Sequence, residues 1–215
     1  MSAEANPETH PRVVAGHRTP IITITITAVF TALVFLSTYV FYIPIPSTQG
    51  TFNFGDIMIF ISALTFGPTI GGFSGGIGSS LSDALGGFGI FAPFTLIIKG
   101  FEGYVAGLIS QKNYRLSTVL IAWAAGSLIM VVGYFLTESL FISLVFGSSQ
   151  YTGIAAALGE LPFNIVQVMG GGLVGIPVSF VLRHVIGSSA FSTRILGPPG
   201  VRRLGRTKVT GRLED

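Results

Sequence analysis

The sequence predicts an all-α membrane protein, a six-transmembrane-helix bundle with both termini in the cytoplasm. Three observations carry that prediction. The 215 residues are 49% hydrophobic and only 10% charged, against about 25% charged in an average soluble chain. Apolar stretches recur along the chain at lengths suited to crossing hydrocarbon. Eleven of the twelve Lys and Arg residues fall outside those stretches, on alternating connections, as basic loops retained on the cytoplasmic side do. Abundant Gly (29) and Phe (18) suit closely packed helices with a lipid-facing surface.

Residues 1–20 read as a polar tail carrying Arg12, His17 and Arg18. No compact apolar core precedes a small-residue cleavage site there, so no removable signal peptide is expected. The membrane domain spans 21–186. Its first helix runs from Ile21 to Tyr42. The opening Ile-Thr-Ile-Thr-Ile-Thr alternates like a strand, but a lone strand would leave its backbone unpaired in lipid. Tyr42-Ile43-Pro44-Ile45-Pro46 ends that helix. A loop over 47–55 contains turn residues and alternating aromatics that fit a small hairpin, and Asp56 stands where it can cap a helix over Ile57–Phe66. That second span covers only about 18 Å, so it is short, tilted or half of a re-entrant pair. Gly67-Pro68 punctuates, and a Gly-rich third helix follows from Ile70 to Leu85.

Pro93 suits the first turn of a fourth helix ending near Ser110. The basic loop Gln111–Arg115 leads to a fifth over Ser117–Thr137. Residues 138–160 hold no basic residue, and their apolar content predicts an amphipathic helix lying on the membrane. The sixth helix is expected over Leu161–Val185, with Pro162 in its first turn and Arg183 and His184 closing it at the interface. Residues 187–215 form a flexible basic tail. With six spans, Arg12, Arg18, Lys112, Arg115, Arg183 and six tail residues lie inside. Asp56, Asp83, Glu138 and Glu160 lie toward the outside, with no Lys or Arg among them.

The twelfth basic residue, Lys99, sits inside the fourth helix with Glu102 at i+3, on the same face. Lys99 lies about 9 Å and Glu102 about 14 Å along from Pro93. A charge there is costly and either braces helix packing as an ion pair or serves a site. Asn164 and Gln167 make another i, i+3 pair near the outer end of the sixth helix. Asp83 closes the third helix, and Asn53 and Asp56 flank the start of the second. Each alone has a structural reading as a helix cap, a turn former or an interhelical hydrogen bond; their common depth predicts a polar site open to the outside. Phe52, Phe54, Phe88, Phe91, Phe94 and Tyr134 are candidate flat faces for a ring. Ala28 and Ala32 make a small-xxx-small face on the first helix.

Other chemistry is excluded. There is no Cys, hence no disulfide or thiolate site, and no Gly-x4-Gly-Lys-Ser/Thr loop. No His cluster fits a metal, and no Ser-His-Asp set lies within the apolar stretches. The chain is expected to be no enzyme, and to carry no metal or cofactor and bind no nucleic acid.

In its ordered motifs the chain resembles the substrate-binding (S) component of an energy-coupling factor (ECF) transporter, of the riboflavin-type or general group. The motifs are Ile43-Pro44-Ile45-Pro46-Ser47-Thr48, Asn53-Phe54-Gly55-Asp56, Phe66-Gly67-Pro68, Ser82-Asp83-Ala84-Leu85-Gly86-Gly87 and Ala92–Gly103, within a match over 21–185. The resemblance implies a six-helix bundle in a prokaryotic cell membrane that captures a vitamin or related micronutrient from outside. Residues 44–55 would be a lid, and Ala28 and Ala32 would dock on a transmembrane coupling (T) component. Two partner ATPases would supply energy, which agrees with the missing phosphate loop. The long basic stretch from Arg194 to Arg212 departs from the family's pattern. Lys99, Glu102, Asn164, Gln167, Asp83, Asn53 and Asp56 are the expected substrate-binding residues. The competing expectation is a stand-alone secondary transporter that uses Lys99 and Glu102 as a proton-sensitive pair.

Overall fold

A nearly all-apolar twelve-residue helix forms the centre of the molecule. The computed structural model describes residues 20–45, 50–142, 144 and 153–187, and the expected tails lie outside them. The described residues form six α-helices: α1 Pro20–Tyr39, α2 Gly55–Phe66, α3 Pro68–Gly86, α4 Ala92–Ser110, α5 Leu116–Leu136 and α6 Ile154–Gly187. Two-residue strands β1 (Ile43–Pro44) and β2 (Thr51–Phe52) pair antiparallel between α1 and α2, Ile43 opposite Phe52. The hairpin expected within 47–55 instead takes its first strand from Ile43–Pro44, ahead of that loop.

The sequence of α2 is apolar all round, which suits a helix surrounded by protein. Ten of its twelve residues are buried, with Ile59, Phe60 and Leu64 fully so. By contrast α1, equally apolar, buries only Val34 and Thr38 and leaves the rest partly or fully exposed. Hydropathy alone does not separate these two situations. Among the described residues, four helices are long and apolar enough to cross a membrane: Pro20–Tyr39, Ala92–Ser110, Leu116–Leu140 and Ile154–Gly187. The short α2 lies among them.

A helix that stops inside the protein must have its last carbonyls satisfied. Arg183 Nε, from α6, donates to Leu64 O at 3.0 Å, and Gln111 Nε2 donates to Phe66 O at 3.4 Å. Arg183 also lies 3.9 Å from the centroid of the Tyr114 ring, whose hydroxyl donates to Ser179 Oγ at 2.7 Å. Arg183 was expected only to close α6 at the interface; it also locks the end of α2.

α3 packs most extensively on α4 and also on α1, while α6 packs on α2. The α3–α4 crossing is close because it lacks side chains: a Cβ on Gly103 would collide with the carbonyl of Gly71.

Beyond shifts of two or three residues, such as α1 ending at Tyr39 rather than Tyr42 and α3 starting at Pro68 rather than Ile70, two regions differ from expectation. α6 begins at Ile154, not Leu161, so Pro162 lies within the helix rather than in its first turn. The described parts of 138–160 are not a separate amphipathic helix. Thr137–Ile142 is a π-helical turn continuing α5, and Ile154 onward already belongs to α6. Glu138 and Glu160, read as outer-surface charges, are each only 4% exposed.

A buried polar cavity under the hairpin

The odd-numbered helices end, and the even-numbered ones begin, at one end of the bundle. A cavity of about 40 Å³ lies there, room for ordered water. Thr38 closes α1, Ser79 and Asp83 lie late in α3, Thr95 and Lys99 early in α4, and Tyr134 late in α5; all line it. Asn164 and Gln167 of α6 complete the wall, and Gly50, Thr51 and Asn53 cover it from the hairpin side. A neighbouring recess of about 270 Å³ shares Thr38, Thr51, Asp83 and Phe88 with the cavity and runs out between α1 and α3.

Lys99 is 3% exposed and stands between two carboxylates. Its Nζ donates to Asp56 Oδ1 from α2. Glu102 Oε2 lies 3.1 Å away as an electrostatic pairing, not an aligned hydrogen bond. The Tyr134 ring centroid lies 5.7 Å from Nζ, at the outer limit for a cation–π contact. Lys99 reaches the cavity wall; Asp56 and Glu102 stand behind it. The expected cap role of Asp56 is therefore corrected. Asp56 makes no capping hydrogen bond: its Oδ1 accepts from Lys99 and its Oδ2 has no partner among the described residues. The start of α2 is served instead by Asn53, whose Oδ1 accepts from Gly55 N at 3.0 Å.

Gln167 Oε1 accepts from the backbone N of Asn53 at 3.0 Å, tying the hairpin to α6. A hydroxyl chain crosses three helices: Tyr134 OH donates to Thr95 Oγ1 at 3.1 Å, and Thr95 Oγ1 donates to Asp83 Oδ2. Of the candidate aromatics, Phe88, Phe91 and Tyr134 line the wall. Phe52 and Phe54 pack edge to face on one another, Phe54 also on Phe41. Phe94 packs on the apolar group of Ile98, Met130 and Val168.

Five of the seven expected polar residues thus line one cavity, and the other two hold its lysine. Sequence reasoning missed Thr38, Ser79, Thr95, Glu138 and Glu160 as lining groups. The available signal was two acidic residues in apolar surroundings without a basic neighbour, and hydroxyls at helix ends carried no signal at all. Ala28 and Ala32 are exposed and line a separate, almost wholly apolar groove between α1 and α3. Among the described residues, no group of three or more His, Cys, Asp or Glu could hold a metal ion.

Comparison with known proteins agrees with this architecture. A family model described as "ECF-type riboflavin transporter, S component" matches residues 18–184. An uncharacterized protein of Pyrococcus woesei is 38% identical over 152 residues, covering 71% of this chain and 95% of that one. The thiamine precursor transporter HmpT of Lactococcus lactis subsp. cremoris is 34% identical over 176 residues, covering 80% and 90%. A solved S component of a bacterial ECF transporter shares the fold, with a TM-score of 0.54 at 20% identity over 79% of this chain and 98% of that chain. The chain is a multi-pass membrane protein that belongs to the family of ECF-type riboflavin transporter S components.

Proposed function

We propose that this chain is the substrate-binding subunit of an ECF-type ABC importer in a prokaryotic cell membrane. It captures a vitamin or vitamin precursor built on a small heterocycle from outside, and a T component with two ATPase subunits drives import. The observation that carries the reading is the polar cavity beneath the hairpin with a buried lysine on its wall. Packing alone gives no reason to line a void with an ammonium, two amides and the Ser79 hydroxyl, which has no hydrogen-bond partner among the described residues.

Each side chain has a part in this reading. Lys99 donates to a carbonyl, ring nitrogen or acidic group of the cargo, held in place by Asp56 and Glu102. Asn164 and Gln167 address ring heteroatoms. Asp83 acts through Thr95, and Asn53 fastens the hairpin as a lid. Ala28 and Ala32 offer the T component a close-approach face, and the positive-inside pattern supports cytoplasmic tails. Asp56, Asp83, Glu102, Glu138 and Glu160 outnumber the single ammonium. That balance favours a neutral or cationic cargo over a phosphorylated one. The relative named as a thiamine precursor transporter supports the same size class.

The test is mass spectrometry of compounds that co-purify with the full chain, followed by uptake into reconstituted vesicles. Recovery of a small heterocycle, with uptake that needs added T component and ATPases, is the expected result. Uptake driven by a proton gradient alone would replace this reading with the secondary transporter.

A further inference from the structure

The outer surface of α3 and α4 carries a furrow that the cargo cavity does not use. Glycines create it: a Cβ on Gly76 would collide with Leu96 O, and one on Gly72 would crowd Gly100 O. Backbones in contact leave the large flanking side chains standing as banks. Phe73 and Ile77 form one bank and Ile97, Phe101 and Tyr104 the other, all of them exposed. The furrow between them is almost wholly apolar and holds about 620 Å³, within the about 300–1,000 Å³ of ligand pockets. From Leu96 to Tyr104 it follows α4 for about 12 Å. That is close to one leaflet's share of a hydrocarbon core about 30 Å thick.

The furrow has a direction. Its two hydroxyl-bearing side chains, Thr69 and Tyr104, lie toward the Pro68 end, and the other end, at Ile77 and Leu96, carries none. The Pro68 end is the one away from the cavity, since a Cβ on Gly107, near the close of α4, would meet Pro68. Beyond it runs the loop Gln111–Arg115, tied to the α2–α3 corner where Gln111 Nε2 donates to Phe66 O. Lys112 and Arg115 in that loop are exposed, and neither has an ion-pair partner among the described residues. The described acidic residues, Asp56, Asp83, Glu102, Glu138 and Glu160, all stand at or behind the cavity instead. Arg183 is engaged by Leu64 O and the Tyr114 ring. Lys112 and Arg115 are thus unopposed cations following the polar end of an apolar furrow.

Apolar along one leaflet, then hydroxylated, then cationic is the order that matches a phospholipid's acyl chain, glycerol ester and anionic headgroup. We propose that the α3–α4 furrow seats an acyl chain of an anionic phospholipid from the leaflet on the basic side, with Lys112 and Arg115 holding its phosphate headgroup. The cations supply the attraction to an anionic headgroup, and methylenes buried against the banks supply the apolar part. Tyr104 lies toward the headgroup end, where interfacial phenols collect. The site is separate from the cargo cavity and stands or falls apart from the capture function.

The test carries the full chain from lipid mixtures into detergent and counts retained lipid by native mass spectrometry. The probes are dioleoyl phosphatidylglycerol and dioleoyl phosphatidylcholine in equal parts, so that only the headgroup differs. Phosphatidylglycerol should be retained over phosphatidylcholine by about 30-fold, because each basic side chain near the surface contributes about fivefold. Lys112→Gln should cut that preference about fivefold, and Lys112→Gln with Arg115→Gln should bring it near parity. Gly100→Leu has room for its Cβ, 3.7 Å from Gly72 O, and extends into the furrow. It should lower retention of both lipids about tenfold, the effect of losing about two buried methylenes. The loop variants change exposed side chains and serve if Gly100→Leu fails to fold. A wild type without headgroup preference overturns the proposal. So does a preference left intact in the double variant, which places the headgroup on other basic residues, or unchanged retention in Gly100→Leu, which places the chain outside the furrow. A mass of two chains without lipid would make the furrow a contact between copies and also overturn it.

Discussion

Lys99 on α4 and Asp56 on α2, 43 residues apart in sequence, join their side chains in the buried interior, with Glu102 on the other side of the ammonium. This contact links the central short helix to the helix that carries the cavity's only cation among the described lining residues. A cation between two carboxylates is self-compensating in part, yet one Asp56 oxygen and both Glu102 oxygens have no hydrogen-bond partner among the described residues. The arrangement spends desolvation on a group facing a void.

Replacing Lys99 with Met should therefore act twice. Ligand affinity should fall by about 10- to 100-fold, the range for a lost charged hydrogen bond. Stability should also fall by about 3–5 kcal/mol, because two carboxylates are left buried without a cation. Combining Lys99→Met with Asp56→Asn and Glu102→Gln should recover thermal stability but not binding. Thermal unfolding and titration of the co-purified ligand on the same samples separate the two effects. Unchanged affinity in the single variant would remove Lys99 from the site.

The hairpin is held down by the Asn53 N–Gln167 Oε1 hydrogen bond. Gln167→Ala should shorten ligand residence by about tenfold, the effect of about 1.4 kcal/mol, with little change in association rate. Stopped-flow displacement of bound ligand measures both rates. An equal loss in the association rate would indicate a direct role in cargo entry instead.

Arg183→Ala uncaps α2 at Leu64 and removes the contact with the Tyr114 ring. The expected cost is about 1–3 kcal/mol of stability. Ligand affinity should be retained, because this lock lies at the opposite end of α2 from Asp56. Denaturant titration and ligand titration, run together, check the separation.

Ala28→Trp fills the apolar groove between α1 and α3 without approaching the polar cavity. Co-purification with a T component should be lost and ligand affinity preserved. Retained assembly would move the docking surface to another face.

Phosphorylated forms of any bound cargo should bind at least tenfold more weakly, since a phosphate would enter a wall where carboxyls outnumber the ammonium. Competition titration with the phosphate ester checks it.

The helices were legible because lipid enforces long apolar segments and because Pro68 and Pro93 mark the starts of α3 and α4. The buried charge of Lys99 was legible for the same reason, since any cation in an apolar stretch stands out. What the residues by themselves determined about this protein is its class, most of its helices and the shared face of Lys99 and Glu102 on α4. The tertiary structure decided which carboxylate holds Lys99, that Asp56 faces a neighbouring helix rather than its own first turn, and that Glu138 and Glu160 turn inward together. The reason is that periodicity fixes position along and around one helix, whereas partner choice between α2, α4, α5 and α6 depends on how those helices pack. An acid beside an apolar run reads the same in sequence whether it faces water or closes a cavity.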